Sequence, residues 1–173
     1  MALVRMRTLM AIVASVSAHL VFASAALAND CTRFAEHRDS YLYRTSAGME
    51  QALAQMAQQR GVPVEAAAFY WGGDLMRAND PASLRSLALL TLASYGWRNN
   101  ADRAETAMAR IFNERGHAFA GLLVGLMLSD EQGQADFYQA RAYLADASRA
   151  GSSDAEAFLA LFDRCHRRAM AFN

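Results

Sequence analysis

Acidic residues, histidine and cysteine carry most catalytic chemistry in proteins, and this chain offers few groupings of them. Glu114 and His117 lie three residues apart, close enough to exchange a proton at a helix junction. We favour the simpler interpretation, a polar helix end, and assign no catalytic residue. The motifs of zinc proteases, serine hydrolases, phosphate loops and dinucleotide-binding folds are absent from the sequence. We therefore predict a protein that is not an enzyme and that holds no metal or cofactor.

The overall composition narrows the class of protein. The chain has 173 residues, of which 54% are hydrophobic and 20% are charged, so it can form a packed core. Its 17 basic residues are all arginine, and they balance 17 acidic residues. This neutrality argues against a protein that binds nucleic acid through phosphate contacts.

The first 28 residues have the pattern of a signal peptide. Arg5 and Arg7 precede an apolar stretch over residues 8–25, and Ala-Leu-Ala at 26–28 supplies the small residues that a signal peptidase requires. An uncleaved membrane anchor is the alternative, since the apolar stretch could just span a bilayer. We expect cleavage, which leaves a single domain at 29–173, periplasmic or secreted, with no membrane insertion.

Only two cysteines, Cys31 and Cys165, occur in the chain. An even number of cysteines after a signal peptide predicts a disulfide. Asp30 directly precedes Cys31, where lipid attachment requires a small residue, so we do not expect a lipoprotein. His166 beside Cys165 would give a poor zinc site, because structural zinc takes four ligands. A disulfide requires Cα atoms within about 7 Å, so the start of the mature chain should contact the last helix.

The rest of the sequence predicts an all-α protein, because helix-forming residues dominate and no period-two alternation is evident. Gly61, Gly96, Gly116 and Gly151 each follow an apolar run, as a residue that ends a helix does. The expected helices cover residues 32–45, 48–60, 64–78, 81–95, 101–115, 118–128, 136–150 and 154–170. Short connections between them favour antiparallel neighbours.

Two helix starts carry recognisable caps. Asp80 is suited to cap the helix that begins with Pro81. Ser153 with Glu156, three residues later, has the spacing of a capping box. These two starts fix the expected beginnings of the helices at 81 and 154.

Regularly spaced small and aromatic residues mark a repeat in the second half of the chain. They are Ala118, Leu122, Asp136, Ala140, Tyr143, Ala147, Gly151, Ala155 and Leu159. This pattern resembles the Sel1-like repeat, a tetratricopeptide-like helical repeat. One fair unit covers about 118–160, although Leu123 and Ala160 replace the usual glycine, and a degenerate unit covers about 85–117. The resemblance implies antiparallel hairpins stacked as a short solenoid, here closed into a compact domain by the disulfide.

Aromatic and arginine side chains are the expected binding residues. Three consecutive aromatics, 69–71, span about 200° of a helix, so at least one should approach the surface. Exposed aromatics together with arginine are typical of interface hot spots. The alternatives are packing between helix layers for the aromatics and a favourable helix-dipole position for the arginines. The predicted protein-binding residues are Tyr70, Trp71, Trp97, Tyr138, Arg164, Arg167 and Arg168.

The resemblance implies an exported protein–protein interaction module, an adaptor or regulator of the bacterial envelope. Its groove would lie on adjacent first helices of the repeats and bind another protein or a peptide. A periplasmic immunity protein that neutralises a secreted toxin is one alternative. A small cell-wall hydrolase with a carboxylate pair is another, and its available acids are Glu65, Asp102, Glu105 and Glu114. The partner, the oligomeric state and the role of the helices over 32–78 stay open.

Overall fold

Helices make up the regular structure of all described residues. The computed structural model describes residues 2–95, 101–130 and 134–167, with side chains over 30–94, 102–130 and 137–167. No strand occurs in these ranges, which confirms the all-α prediction. The helices are α1 (Ala2–Arg60), α2 (Val64–Ala78), α3 (Pro81–Tyr95), α4 (Ala101–Arg115), α5 (Ala118–Leu128), α6 (Gln134–Arg149) and α7 (Ser153–Cys165).

The first helix corrects one prediction. The sequence predicted two helices over 32–45 and 48–60, but α1 runs through Gly48 without a break. Gly48 has no positive φ, and a buried series that includes Leu42, Ser46 and Leu53 continues across it. A glycine inside a helix costs about 1 kcal/mol relative to alanine. Packing on both sides of Gly48 offsets that cost.

The helix ends follow the predicted chemistry except in α7, whose cap is shifted by one residue and which ends at Cys165 rather than at residue 170. Gly61, Gly116 and Gly151 all have positive φ and end helices as expected, whereas Gly96 lies outside the described residues. Asp80 caps α3 and accepts backbone bonds from residues 82 and 83, each at 3.0 Å. The cap of α7 is Ser152 rather than Ser153, because the Ser152 hydroxyl is the group that accepts the Ala155 N–H, at 3.2 Å.

Helix α5 lies at the centre of the domain. Every residue from Phe119 to Leu128 is buried. Helices α4 and α6 pack beside it, and α3 and α7 contact it as well. Helix α1 lies against α2, α3 and α7 and also contacts α5. The first helices of the two expected repeat units, α3 and α5, are therefore both contacted by α1 of the same chain.

A continuous seam joins α1 to α7. The Cys31–Cys165 disulfide lies at one end, with Cα atoms 4.6 Å apart, which confirms the predicted bond. Further along, the rings of Phe34 and Phe162 pack edge to face with centroids 5.4 Å apart. At the other end the Tyr41 hydroxyl donates a hydrogen bond of 2.8 Å to Asp154. The contacts run in opposite directions along the two helices, so α1 and α7 are antiparallel.

One buried charge fixes α1 against the end of α5. The Arg38 guanidinium is almost fully buried and reaches Asp130 at 2.6 Å and Asp39 at 2.8 Å. Both carboxylates remain partly in solvent, so the pair does not bury two opposite charges together.

From Asp30 onward, where side chains are described, no helix combines the length and apolar character that crossing a membrane requires.

Candidate functional site

An open depression runs along α3 on the described surface. Helix α2 packs on one flank of α3 and α4 on the other. The space between α3 and α4 has a volume of about 560 Å³, and the space between α2 and α3 about 670 Å³. Met76, Leu87 and Thr91 line both spaces, so the two adjoin each other along α3. We call this feature the α3 trough.

The floor of the α3 trough is apolar. Leu84, Leu87 and Thr91 recur at the three- and four-residue spacing that places them on one face of α3. All three residues are buried, and each exposes less than a tenth of its surface. The Thr91 hydroxyl donates a hydrogen bond of 2.8 Å to the Leu87 carbonyl, so its polar group is already satisfied within the helix.

The α2 wall presents large apolar side chains to solvent. Phe69 is 78% exposed and Met76 is 47% exposed, and their seven-residue spacing places them on one side of α2. Gly72 lies between them on the same side. A Cβ at Gly72 would contact Leu90 at 3.7 Å and Leu87 at 3.8 Å, so its missing side chain leaves room above α3. The wall thus combines an exposed aromatic with an open space.

The α4 wall carries charge. Arg103, Arg110, Glu114 and Arg115 line the trough, and Arg110 pairs with Glu114 at 2.7 Å. Asp102 also lies on this wall, in the first turn of α4, where the helix dipole favours an acidic residue. The wall therefore has three arginines and two acids around an apolar floor.

The predicted binding residues do not lie along one surface. Tyr70 is exposed beside the trough, whereas Trp71 is half-buried and packs against the small core between α1, α2 and α3. Tyr138 is exposed on α6, where it contacts the Phe137 ring. Arg164 and Arg167 are exposed near the disulfide at the end of α7. Trp97 and Arg168 lie outside the described residues.

Sequence reasoning missed Phe69 as a surface residue. The signal was present, because Ala67, Trp71 and Leu75 recur at four-residue spacing and mark the buried face of α2. Phe69 lies about 160° from the centre of that face, given 100° per residue. The three adjacent aromatics were correctly expected to include an exposed one.

The four acids considered for a hydrolase lie on two helices, Glu65 on α2 and the other three on α4. Glu114 is bound to Arg110, and Asp102 and Glu65 are exposed in solvent. Glu105 is half-buried on α4 and already has an interaction of its own. Within the described side chains, no group of three or more His, Cys, Asp or Glu could hold a metal ion.

His117 is not paired with Glu114. Its Nε2 lies 3.1 Å from the Pro81 carbonyl and donates to it, and its Nδ1 is buried without a partner. Burial lowers the pKa of His117, the bond to Pro81 opposes this effect, and the nearby Arg85 charge lowers the pKa further. Burial also lowers the pKa of His166, and Asp163 partly opposes that shift. His166 packs against the rings of residues 137 and 162.

These two histidines predict a stability that declines in mild acid. Both are harder to protonate when the protein is folded, so their contribution is present above about pH 6.5 and is lost as the pH falls through their lowered pKa values. We expect the Tm to fall between pH 7 and pH 5. The variant His117→Asn/His166→Phe should show a smaller fall, and His37→Gln, at an exposed position, should match wild type. Equal declines in all three proteins would contradict the prediction.

Three comparisons with known proteins found no match to this chain. No family model matches the chain, and no curated protein and no solved structure is significantly similar to it.

Proposed function

We propose that this chain is an exported helical module that binds another protein through the α3 trough, acting as an adaptor or regulator in the bacterial envelope. The observation that carries the proposal is Phe69, whose large aromatic side chain is 78% exposed at the edge of an apolar trough. An aromatic residue beside an open apolar surface is the usual anchor of a protein interface. The trough is open in the free protein, so binding requires little rearrangement.

Export is supported by two independent features. The Ala-Leu-Ala sequence at 26–28 follows an apolar stretch with two preceding arginines, as in a signal peptide. The Cys31–Cys165 disulfide fits an oxidising compartment, since disulfides are rare in the cytosol. Periplasmic or secreted localisation is therefore part of the proposal.

Membership of the Sel1-like repeat family also belongs to the proposal. Its support is the order of the helices, in which α3 with α4 and α5 with α6 form successive packed pairs. The small residues of the expected repeat are fully buried, as Ala140 and Ala147 show. In this arrangement the binding surface lies along α3, the first helix of the first unit, and not across the first helices of both units.

The proposal is tested by crosslinking at the trough edge in living cells. A photo-reactive phenylalanine analogue is placed at Phe69 and, as a matched control, at Tyr43, which is 65% exposed on α1. We expect a specific protein adduct from position 69 and none from position 43. Equal adducts from both positions, or none from 69, would contradict the proposed site.

The partner identified by that adduct permits a quantitative prediction. Phe69→Ala should weaken its binding about tenfold, because truncating an aromatic anchor removes over 1 kcal/mol of binding free energy. Tyr43→Ala should leave the affinity unchanged. Calorimetry with the two purified variants measures both effects. An affinity that Phe69→Ala does not alter would remove the trough from the interface.

A further inference from the structure

The shape of the α3 trough limits what can occupy it. Its floor runs along α3 from Leu84 to Ser94, which is about 15 Å at 1.5 Å per residue. The α4 wall extends from Arg103 to Arg115, about 18 Å. These lengths correspond to about three turns of an α-helix.

The chemistry of the floor selects a helix over an extended peptide. The floor residues Leu84 and Leu87 have no polar side-chain atoms, and the Thr91 hydroxyl is bonded within α3. An extended peptide laid there would bury backbone N–H and C=O groups without partners, at a high energetic cost. The described residues contain no strand, so a peptide could not pair with a sheet edge in this part of the chain. A helix satisfies its own backbone groups.

The charge on the α4 wall determines which residue types suit the two ends of a bound helix. Arg110 is neutralised by Glu114, and Asp102 lies at the favourable end of the α4 dipole. Arg103 and Arg115 are exposed, and the ion pairs among the described side chains include neither of them. Arg103 and Arg115 therefore place a positive charge near each end of the wall. The α2 side of the trough adds no net charge, because Asp74 pairs with Arg77 and because Arg60 and Glu65 carry opposite charges. A complementary ligand carries acidic residues at both ends.

We infer that the α3 trough binds an amphipathic helix of about three turns, with an apolar face against Leu84, Leu87 and Thr91 and acidic residues near both ends that pair with Arg103 and Arg115. This inference rests on the proposed function and specifies the partner. The apolar face supplies the burial, and the two ion pairs set the position of the helix along the trough. Charge pairs at the rim of an interface chiefly govern specificity and association rate.

The test uses a phage-displayed library of 16-residue helices and the oxidised full chain. Apolar residues are fixed at the spacing of one helix face, and the end positions vary among Glu, Gln and Lys. We expect enrichment of Glu at both ends. A synthetic peptide with the enriched sequence should bind wild type with an affinity that declines as salt concentration rises, since the Arg pairs are solvent-accessible.

Three variants interpret the binding. The variant Arg103→Glu/Arg115→Glu should bind the Glu-ended peptide at least about tenfold more weakly than wild type does. It should bind the Lys-ended version of the same peptide more tightly than wild type does. Arg33→Glu/Arg44→Glu, an equal change of net charge at exposed positions on α1, should change the affinity less than twofold. Phe69→Ala should weaken every peptide that occupies the trough. Circular dichroism of each variant confirms that it is folded.

Each outcome supports or overturns the inference. Peptides that depend on Phe69 but are indifferent to Arg103→Glu/Arg115→Glu leave the trough as the binding site and overturn the acidic-flank assignment. Peptides indifferent to Phe69→Ala overturn both the inference and the proposed site. Failure of the library to enrich any helix overturns the helix assignment. Self-association of the wild-type chain that Phe69→Ala abolishes also overturns it, because a second copy of the chain is then the occupant of the trough.

Discussion

Replacement of both cysteines, Cys31→Ser/Cys165→Ser, is expected to lower the free energy of unfolding by about 5 kcal/mol. The bond joins residues separated by 134 positions, so it restricts nearly the whole unfolded chain. In the chain-entropy model a loop of that length corresponds to a stabilisation of about 5 kcal/mol. Because small domains are stable by only about 5–15 kcal/mol, the variant should lie close to its unfolding threshold. Guanidinium titration followed by circular dichroism measures the difference.

The reduced wild-type protein is the internal control for this experiment. Addition of a reductant should bring wild type to within about 1 kcal/mol of the variant and should leave the variant unchanged. The seam between α1 and α7 retains its aromatic and hydrogen-bonded contacts in both cases, so helical content should be preserved before the transition. A variant as stable as oxidised wild type, or two titratable thiols in the oxidised protein, would contradict the prediction.

Gly125→Ala is expected to destabilise the protein by about 2–3 kcal/mol, the second-largest effect. A Cβ at Gly125 would lie 2.8 Å from Cγ of Leu144 and 3.1 Å from the Ala140 carbonyl oxygen. Leu144 is fully buried and the Ala140 oxygen belongs to the backbone, so neither can move away without shifting α6. Overpacking a tight core typically costs 1–3 kcal/mol, and the involvement of backbone places this site near the upper limit.

Two other glycines provide a graded control. Gly48 has nothing within 4 Å of its Cβ position, so Gly48→Ala should stabilise α1 by about 0.5–1 kcal/mol. A Cβ at Gly121 would meet the Phe112 ring at 2.7 Å, but that ring is only partly buried and can rotate. We expect Gly121→Ala to cost about 1 kcal/mol. Equal stability of the Gly125→Ala, Gly48→Ala and Gly121→Ala variants in the same guanidinium titration would contradict the prediction. It would show that the close packing of α5 on α6 does not determine the stability of the protein.

The helix boundaries were predictable where a single residue ends or caps a helix through its own backbone conformation or side chain. Gly61 and Gly151 end helices because their left-handed backbone conformation suits glycine, and Asp80 begins α3 because its carboxylate accepts two backbone bonds. The disulfide was predictable because the sequence contains only two cysteines. Gly48 misled the prediction, since a glycine in the middle of a helix and a glycine at its end look alike in sequence.

The site was less predictable because it depends on what the neighbouring helices leave uncovered. Three consecutive aromatics indicated exposure near residue 70, but the choice of Phe69 over Trp71 follows from which face of α2 packs on α1 and α3. The floor residues of the trough resemble ordinary core positions in the sequence, and only the separation of α2 from α4 leaves a space above them. Local pattern gives the faces of a helix, and tertiary packing decides which face stays open.

The position of the disulfide has a mechanical consequence. Tension applied to the chain segments before Cys31 and after Cys165 passes through the covalent sulfur bridge and bypasses the polypeptide between the two residues. The helices that form the trough, α2, α3 and α4, all lie within this bypassed portion. A pulling experiment on the oxidised protein should therefore show little extension, and the α3 trough should withstand loads that unravel the reduced form.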